Sequence, residues 1–240
     1  MNIALYGYGK MGREIEKIAE KRGHTICHTV DKNGRDKRSQ NTPDVAIEFS
    51  QPDQAWTHIQ ECLDQNLPVV VGTTGWYDHF DAMVKECKAK NGAVFHATNF
   101  SVGVNILFKM NEILANLIGH QPDYQARIQE IHHIHKLDSP SGTGITLAEG
   151  LIENHPDYDK WEEVELGKST NEGVLPIEAL RENEVPGIHE ITYESEIDYI
   201  KLKHSAKSRA GFALGSVLAA EYLAGKKGVY TMNDLLQLNK

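Results

Sequence analysis

The chain has 240 residues and a net charge of −9, which allows one large domain or two modest ones with real cores. No basic block interleaves with aromatic residues, so the composition argues against a nucleic-acid partner. Cys27, Cys62 and Cys87 are far apart, and no signal-peptide pattern or long apolar run occurs. We therefore expect no disulfide framework, no membrane span and a location in the reducing cytoplasm.

The first hundred residues alternate short apolar runs with longer amphipathic segments, which is the rhythm of βαβ units. Predicted strands cover residues 3–6, 25–30, 45–49, 69–71 and 94–95. Predicted helices cover residues 11–22, 53–66 and 78–90. Right-handed crossovers between such units give a parallel sheet with helices on both faces.

The pattern changes near residue 101, where we predict a domain boundary. A helix is predicted over 104–118, and strands without regularly interposed helices are predicted over 124–131, 188–193 and 197–204. Residues 194–196 suit a hairpin turn between the last two strands. The polar segment 154–183, broken by prolines and glycines, is predicted to be a long, partly irregular excursion. Helices over 209–224 and 232–238 end the chain.

These patterns predict an α/β protein with a Rossmann-like parallel-sheet domain, followed by an α+β domain with a mixed or antiparallel sheet. The periodicity does not tell whether the last helices return to the first domain. We see no internal repeat and no low-complexity tract.

The spacing Gly7-x-Gly9-x-x-Gly12 follows a predicted strand and opens a predicted helix. Gly7 permits a tight turn, Gly9 lets backbone N–H groups approach a pyrophosphate, and Gly12 lets the helix pack closely. Asp31 lies about 20 residues further on, where a carboxylate can bond a ribose hydroxyl. Lys32 is either a solvated lysine or attracts a 2′-phosphate, so we expect both NADPH and NADH to bind. A plain βα turn with a chance aspartate is the alternative.

Two further polar turns follow predicted strands, at residues 72–75 and 97–100. Ligands bind beyond the carboxyl ends of parallel strands, where such hydroxyls, amides and backbone groups can hold a nicotinamide and its ribose. Glycine and threonine are also ordinary turn residues, so the functional and the structural interpretation are equally open.

Residues 130–144 concentrate three histidines, Lys136 and a Ser-Gly-Thr turn. In a strand, His133 and His135 share one face while His132 points to the other, so local geometry does not bring all three to one metal. Zinc binding and a solvated strand end remain alternatives to proton transfer.

The turn after these histidines looks like a helix start. Ser141 can cap it, and the free N–H groups and the helix dipole then face any carboxylate placed there. Lys136 adds a point charge, and burial or a neighbouring histidine can lower its pKa enough for it to give up a proton. A site that binds a small anion and moves protons is therefore the leading hypothesis.

Several motifs, taken in order, resemble the 4-hydroxy-tetrahydrodipicolinate reductase (dihydrodipicolinate reductase) family. The resemblance covers nearly the whole chain and is carried by residues 7–12, 72–75, 99–105, 130–143 and 204–209. Two departures are visible, because Ser139 and Gly144 stand where the family often has alanine. Neither removes a hydrogen-bond donor, so we expect small effects.

The resemblance implies a dinucleotide-binding domain at 1–100 and 209–240, and a substrate-binding and oligomerisation domain at 101–208, in a homotetramer. It also implies NAD(P)H-dependent reduction of 4-hydroxy-tetrahydrodipicolinate to tetrahydrodipicolinate, with loss of water, in the diaminopimelate pathway of lysine biosynthesis. The cofactor is NADPH or NADH, with the preference left open, and no metal, nucleic acid or membrane is expected.

The family's site residues transfer by motif. His132 would be the acid/base histidine and Lys136 the proton donor. His133, Gly142 and Thr143 would bind the substrate carboxylate. The dinucleotide would be contacted by Gly7, Tyr8, Gly9, Lys10, Met11, Gly12, Asp31, Gly72, Thr73, Thr74, Ala97, Thr98, Asn99 and Phe100.

Two rival classes stay open. A non-catalytic NAD(P)-binding sensor would bind the cofactor without turnover and would not need Lys136. A metal-dependent hydrolase built on the histidines would carry zinc and lose activity to a chelator.

Overall fold

The computed structural model describes residues 1–32, 34–121 and 123–238. The chain forms two compact units. One joins Met1–Val102 to the chain from Arg209 onward, and the other is Gly103–Ser208. No helix among the described residues is long and apolar enough to cross a membrane. The three cysteines are buried and free.

Strands and helices alternate through the first unit and separate into runs in the second. The strands are β1 (Asn2–Tyr6), β2 (Thr25–Asp31), β3 (Gly34–Lys37), β4 (Val45–Glu48), β5 (Val69–Val71), β6 (Ala93–His96), β7 (Gln125–His132), β8 (Lys160–Val164), β9 (Val174–Arg181), β10 (Ile188–Glu194), β11 (Tyr199–Ser205) and β12 (Gly228–Tyr230). The helices are α1 (Lys10–Lys21), α2 (Pro52–Asp64), α3 (Phe80–Ala89), α4 (Val102–Ile118), α5 (Gly142–Ile152), α6 (Ala210–Leu223) and α7 (Met232–Leu236).

The first unit is built on a sheet with the strand order β12-β6-β5-β4-β1-β2-β3. All pairs are parallel except β2 with β3. From β1 the chain passes to β2 and β3 on one side and then returns to β4 on the other side of β1, so the strand order reverses beside β1. Crevices at such a reversal, beyond the carboxyl ends of the strands, are where open α/β sheets bind ligands.

Helices cover both faces of this sheet because its strands are apolar on both sides. Ile3 and Leu5 of β1 join the core cluster that holds Ile15 of α1 and Val217 of α6. Ala4 points the other way, into the cluster that α2 and α3 cover. Residue alternation along one strand thus supplies two separate cores.

The second unit is a mixed sheet with the order β11-β10-β7-β9-β8. β7 pairs in parallel with β9 and β9 with β8, whereas β10 is antiparallel to both β7 and β11. Ile128, Ile177 and Ile191 point to one face and pack with Leu107 of α4 and Leu147 of α5. β7 is the central strand, so residues at its end face several elements at once.

The predicted fold class is confirmed, but the irregular excursion predicted for residues 154–183 is wrong in part. It contains β8 and β9, and β9 pairs with the central strand β7. Pro176 resembles a strand breaker, yet it lies opposite Glu162 of β8, while the register with β7 begins only at Ile177. A proline that pairs on one side alone is tolerated in a strand. The short strands β3 and β12 were also missed.

Candidate active site

The backbone path requires the first glycine of the N-terminal motif. Gly7 follows β1 with φ +93°, which favours glycine. A Cβ at this position would lie 2.0 Å from the carbonyl oxygen of Phe49 and 2.7 Å from the nitrogen of Ser50, just after β4. The turn after β1 therefore packs directly against the turn after β4, where the strand order reverses.

The rest of the motif forms an open helix start. A Cβ on Gly12 would lie 2.3 Å from the carbonyl oxygen of Gly7, so α1 needs a glycine to approach the turn. A Cβ added to Gly9 would meet no described atom within 4 Å. Lys10 and Met11 open α1, whose first turn has no acidic residue and, in the described chain, no side-chain cap. This cradle fits a pyrophosphate, because the N–H groups and the positive end of the helix dipole favour an anion.

Two residues flank the cradle. Asp31 ends β2 and is exposed. The Tyr8 hydroxyl donates to Glu16, and the Arg38 guanidinium lies 4.4 Å from the centre of the Tyr8 ring while also pairing with Glu16. Sequence reasoning did not single out Arg38, since it belongs to no recognisable motif. It places a cation beside the motif, on the segment after β3.

The turn after β5 has an unsatisfied hydroxyl. Gly72 packs so closely on the Phe49 ring that a Cβ would lie 2.1 Å from it. Thr73 is buried, and its Oγ1 has no hydrogen-bond partner in the part of the chain that the structure describes. Thr74 is exposed. A buried hydroxyl without a partner at the carboxyl end of a strand fits a polar group of a bound ligand.

The turn after β6 offers mainly backbone and polar atoms. Ala97 is half-buried and Thr98 is exposed, whereas Asn99 uses Oδ1 to accept the N–H of Ser101 at 2.8 Å. Phe100 is only 2% exposed and belongs to the core. Its side chain therefore packs inward, and its carbonyl oxygen packs against Gly215 of α6, where a Cβ would lie 1.7 Å from it.

In the second unit, a buried carboxylate lies beneath the start of α5. Ser141, the N-cap, donates its backbone N–H to Glu130 Oε1 at 2.9 Å and its hydroxyl to Oε2. The same hydroxyl accepts the N–H of Gly144 at 3.1 Å. Gly142 and Thr143, the predicted carboxylate binders, form the first turn above it. The predicted cap is confirmed, and it is anchored to a fully buried anion.

Two imidazoles and a guanidinium face this anion. His132 Nδ1 and Arg181 Nη1 each lie 3.6 Å from Glu130 Oε1, and His189 Nε2 lies 3.6 Å from Oε2. The His132 and His189 rings meet edge to face, with centroids 5.0 Å apart. Burial opposes the charge of Glu130, but the imidazoles and Ser141 hold its pKa well below the usual range. Burial lowers the pKa of His189, and Glu130 only partly offsets this.

The remaining histidines lie apart from this anion, as the predicted alternation implies. β7 ends at His132, after which His133 is half-buried and His135 exposed, with ring centroids 6.1 Å apart. His135 Nε2 lies 3.2 Å from Glu184. The structure thus brings His132 together with Glu130 and His189, and not with the two histidines next to it in sequence.

Lys136 is held by an ion pair in the loop after β7. Its Nζ donates to both carboxylate oxygens of Asp138 at 2.8 Å. Burial opposes the charge of Asp138, but the ammonium holds its pKa below the usual range. Arg181 Nη2 donates to the Asp138 carbonyl oxygen at 2.6 Å, so the same guanidinium that faces Glu130 also fixes this loop.

Ligand atoms of Glu130, His132 and His189 lie within 4.8 Å of one another, a spacing that a metal ion can bridge. Both oxygens of Glu130, however, already accept hydrogen bonds from Ser141. A buried carboxylate needs such donors when no metal neutralises it. We assign the cluster as a hydrogen-bonded and ion-paired network and place no metal in it.

His189 and Arg181 are functional neighbours that sequence reasoning missed. His189 lies directly opposite Glu130 in the pairing of β10 with β7, and Arg181 lies opposite His132 in the pairing of β9 with β7. Both strands come about 50 residues after β7, and no local pattern sets their register with it. Of the pairings made by these strands, only the hairpin of β10 and β11 could be predicted from local sequence, and it places His189 opposite His204.

Two family models match the chain. "Dihydrodipicolinate reductase, N-terminus" matches residues 1–100, and "Dihydrodipicolinate reductase, C-terminus" matches residues 103–236. A 4-hydroxy-tetrahydrodipicolinate reductase from Christiangramia forsetii is 47% identical over 237 residues, which cover 98% of each chain. One from Alkaliphilus oremlandii is 32% identical, with 99% of each chain covered.

Among solved structures, dihydrodipicolinate reductase from Paenisporosarcina sp. TG-14, with dipicolinate bound, matches with a TM-score of 0.76. The match covers 96% of this chain and 97% of that one, and at 22% identity it supports the fold alone. The family models and the relatives agree with the order of motifs found in the sequence. The chain therefore belongs to the dihydrodipicolinate reductase family.

Proposed function

We propose that the chain reduces 4-hydroxy-tetrahydrodipicolinate to tetrahydrodipicolinate, with loss of water and with NADPH or NADH as the reductant, in the diaminopimelate route to lysine. Family membership supports the reaction. One observation carries the assignment of the site: the first turn of α5, with Gly142 and Thr143, lies on a network that contains His132, and the same unit holds Lys136.

The start of α5 binds a substrate carboxylate in this proposal. A Cβ on Gly142 would meet no described atom within 4 Å, so an exposed face of the turn is open to a ligand. The helix dipole favours an anion there, and His133 and Thr143 add polar groups. The solved relative from Paenisporosarcina sp. TG-14 holds dipicolinate, a cyclic dicarboxylate, which agrees with this substrate class. Fixing one carboxylate orients the ring and lowers the entropic part of the barrier.

Two residues are proposed to manage protons. As the ring is reduced, a proton must reach the carbon next to the one that accepts the hydride. Lys136 Nζ carries donor protons and lies 2.8 Å from both carboxylate oxygens of Asp138. His132 is the second donor, and its Nδ1 lies 3.6 Å from Glu130 Oε1. A positioned acid contributes about 10²- to 10⁴-fold to such a step.

The cofactor is proposed to bind at the carboxyl edge of the first unit's sheet. When bound, NADPH or NADH supplies the hydride. Gly7, Gly9 and Gly12 shape the pyrophosphate cradle with Tyr8, Lys10 and Met11, and Asp31 meets the ribose. Thr73, whose hydroxyl has no hydrogen-bond partner in the part of the chain that the structure describes, contacts the nicotinamide end, together with Gly72, Thr74 and the backbone of residues 97–100.

The units take separate roles in this proposal: dinucleotide binding for residues 1–100 and 209–240, and substrate binding and oligomerisation for residues 101–208. Among the described residues, one face of the second sheet carries exposed side chains, with Leu166 62% and Tyr199 64% exposed. A homotetramer assembled through that face would cover them, and the native mass in solution tests this. The reducing cytoplasm suits three free cysteines, and we propose neither a nucleic-acid nor a membrane partner.

A coupled assay tests the reaction. A synthase forms the substrate from pyruvate and aspartate semialdehyde, while NADPH or NADH absorbance is followed after this protein is added. We expect rapid oxidation with at least one cofactor, and its loss in Lys136→Ala. Cofactor binding without oxidation would instead indicate a non-catalytic sensor.

A further inference from the structure

Glu130 is placed to do more than anchor Ser141, the N-cap of α5. Ser141 satisfies one lone pair on each of its oxygens, and yet His132, Arg181 and His189 are also packed around it at 3.6 Å. A fully buried carboxylate costs free energy unless it is paired. His132, one of these three groups around the carboxylate, is also the histidine proposed to transfer a proton.

The two nitrogens of His132 have different surroundings. Nδ1 is buried, has no hydrogen-bond partner among the described residues, and lies 3.6 Å from Glu130 Oε1, beyond normal hydrogen-bond length. Nε2 is on the other side of the ring, where Gly187 leaves it uncrowded, since a Cβ there would lie 3.2 Å away. The Glu182 N–H donates to the His132 carbonyl oxygen at 2.8 Å, so the backbone is fixed as well.

We propose that Glu130 is a positioning residue for His132: its carboxylate holds the Nδ1 side of the ring, so that Nδ1 keeps a proton and Nε2 exchanges one with the substrate. The inference rests on the proposed acid/base role of His132. In the step, the Nε2–H bond of the imidazolium breaks as the substrate C–H bond forms. The ring is left neutral with its proton on Nδ1, facing the anion, and solvent restores the proton on Nε2.

Every charged or titratable neighbour of this pair bears on the result. His189 of β10 and Arg181 of β9 face Glu130 directly, and His204 of β11 lies next to His189 in the sheet. Burial lowers the pKa values of His189 and His204, which disfavours their charged forms beside the carboxylate. Arg181 and His132 are the other groups that face Glu130, and Asp138, in the loop after β7, interacts with it as a second anion. Loss of the carboxylate charge should therefore be felt at His132.

Glu130→Gln removes the charge while keeping the size and an acceptor for Ser141. We expect kcat to fall by about 10- to 100-fold, less than the about 10²- to 10⁴-fold that a positioned acid contributes. The high-pH limb of the kcat profile should move to lower pH, because the negative charge that faces the ring is removed. KM for the cofactor should not change.

Two variants separate positioning from general structural damage. Glu178→Gln removes a second buried carboxylate, which lies on the opposite face of the same sheet and bonds Gln129 and Gly167, and should leave the pH profile unchanged. Ser141→Ala loosens the start of α5 but keeps the Glu130 charge, so it should raise KM for the dicarboxylate without moving the high-pH limb. A wild-type kcat and pH profile in Glu130→Gln would overturn the inference, as would the same shift in Ser141→Ala.

A second measurement uses the wild-type protein and therefore does not require the Glu130→Gln variant. Spectra of ¹⁵N-histidine-labelled protein report which ring nitrogen carries the proton, and His132→Asn assigns the signal by difference. We expect the Nδ1–H form for neutral His132. The Nε2–H form would overturn the inference even if Glu130→Gln failed to fold.

His132→Asn also separates a failure of this inference from a failure of the proposed acid/base role of His132. If this variant keeps the full kcat in the coupled assay, His132 has no acid/base role and the inference falls with that role, although the reductase reaction itself stands. If it loses activity while Glu130→Gln keeps the wild-type profile, the role of His132 stands and the inference alone is overturned.

Discussion

Ser141→Ala should destabilise the second unit by more than the same substitution at an ordinary buried serine would. The hydroxyl caps α5 through the Gly144 N–H and donates to the ionised Glu130, with His189 Nε2 3.3 Å away. Losing an N-cap costs about 1 kcal/mol. Losing a donor to a buried charge costs about 2 kcal/mol more, since the backbone N–H of Ser141 still bonds the carboxylate.

The sum of about 3 kcal/mol corresponds to a fall in Tm of about 6–12 °C for a chain of this size. Differential scanning calorimetry at neutral pH measures it. Ser216→Ala is the matched control, because this buried hydroxyl in α6 donates only to the Ala213 carbonyl oxygen, at 2.9 Å. We expect the control to shift Tm by less than about 3 °C. An equal, small shift in both variants would show that Glu130 does not depend on the Ser141 hydroxyl, and the reasoning would be refuted.

Three further predictions concern charge and contact in the same unit. Lys136→Ala should lower kcat at least about 100-fold with unchanged NADPH affinity, measured by steady-state kinetics and cofactor titration; unchanged kcat with weaker cofactor binding would remove its donor role. Thr143→Val should raise KM for the dicarboxylate, and an unchanged KM would remove Thr143 from the substrate contacts. The depressed pKa of Glu130 adds stability that is complete above its unfolded value near 4.5 and is lost as the pH falls below it. The unfolding free energy of wild type minus Glu130→Gln, from urea titrations, should therefore shrink in acid; a constant difference would contradict an ionised Glu130.

Most of the first unit could be predicted from sequence because its rules are local. Ile3 and Leu5 alternate with Ala4 and Tyr6 between two cores, and the glycine motif marks the turn that follows. Gly225, at φ +73°, lies just after the end of α6. The motifs taken in order indicated the family, and the two family models confirmed it. Local sequence pattern and tertiary packing agree in this unit, so the local pattern alone predicted most of its elements.

The missed strands share a physical cause. β3 holds only exposed residues, so no alternation of apolar and polar side chains marks it. β12 has three half-buried residues and completes the edge of a sheet whose other strands come much earlier in the chain. β9 carries Pro176, which local rules count against a strand. β9 and β12 pair with strands distant in sequence, whereas β3 pairs with β2, which directly precedes it. None of these pairings leaves a periodic signal in the missed strand itself.

The candidate site divides in the same way. Ser141, Gly142 and Lys136 belong to one continuous segment, so their chemistry could be predicted from neighbours in sequence. His189 and Arg181 enter the site through the registers of β10 and β9 with β7. A one-residue slip in either register would turn them to the other face of the sheet. Their part in the site could therefore be seen only once the sheet was assembled.

Gly144 shows why a small departure from the family can depend on a buried charge. Sequence reasoning expected little effect from glycine in place of alanine, because no donor is lost. In the structure, a Cβ on residue 144 would lie 2.5 Å from Glu130 Oε2 and 3.6 Å from Ser141 Oγ. Alanine would thus require the carboxylate to leave Ser141 or the first turn of α5 to move outward. Glycine costs a helix up to about 1 kcal/mol relative to alanine. Breaking one hydrogen bond to the buried anion costs about as much or more. The residue at position 144 and the placement of Glu130 therefore constrain each other.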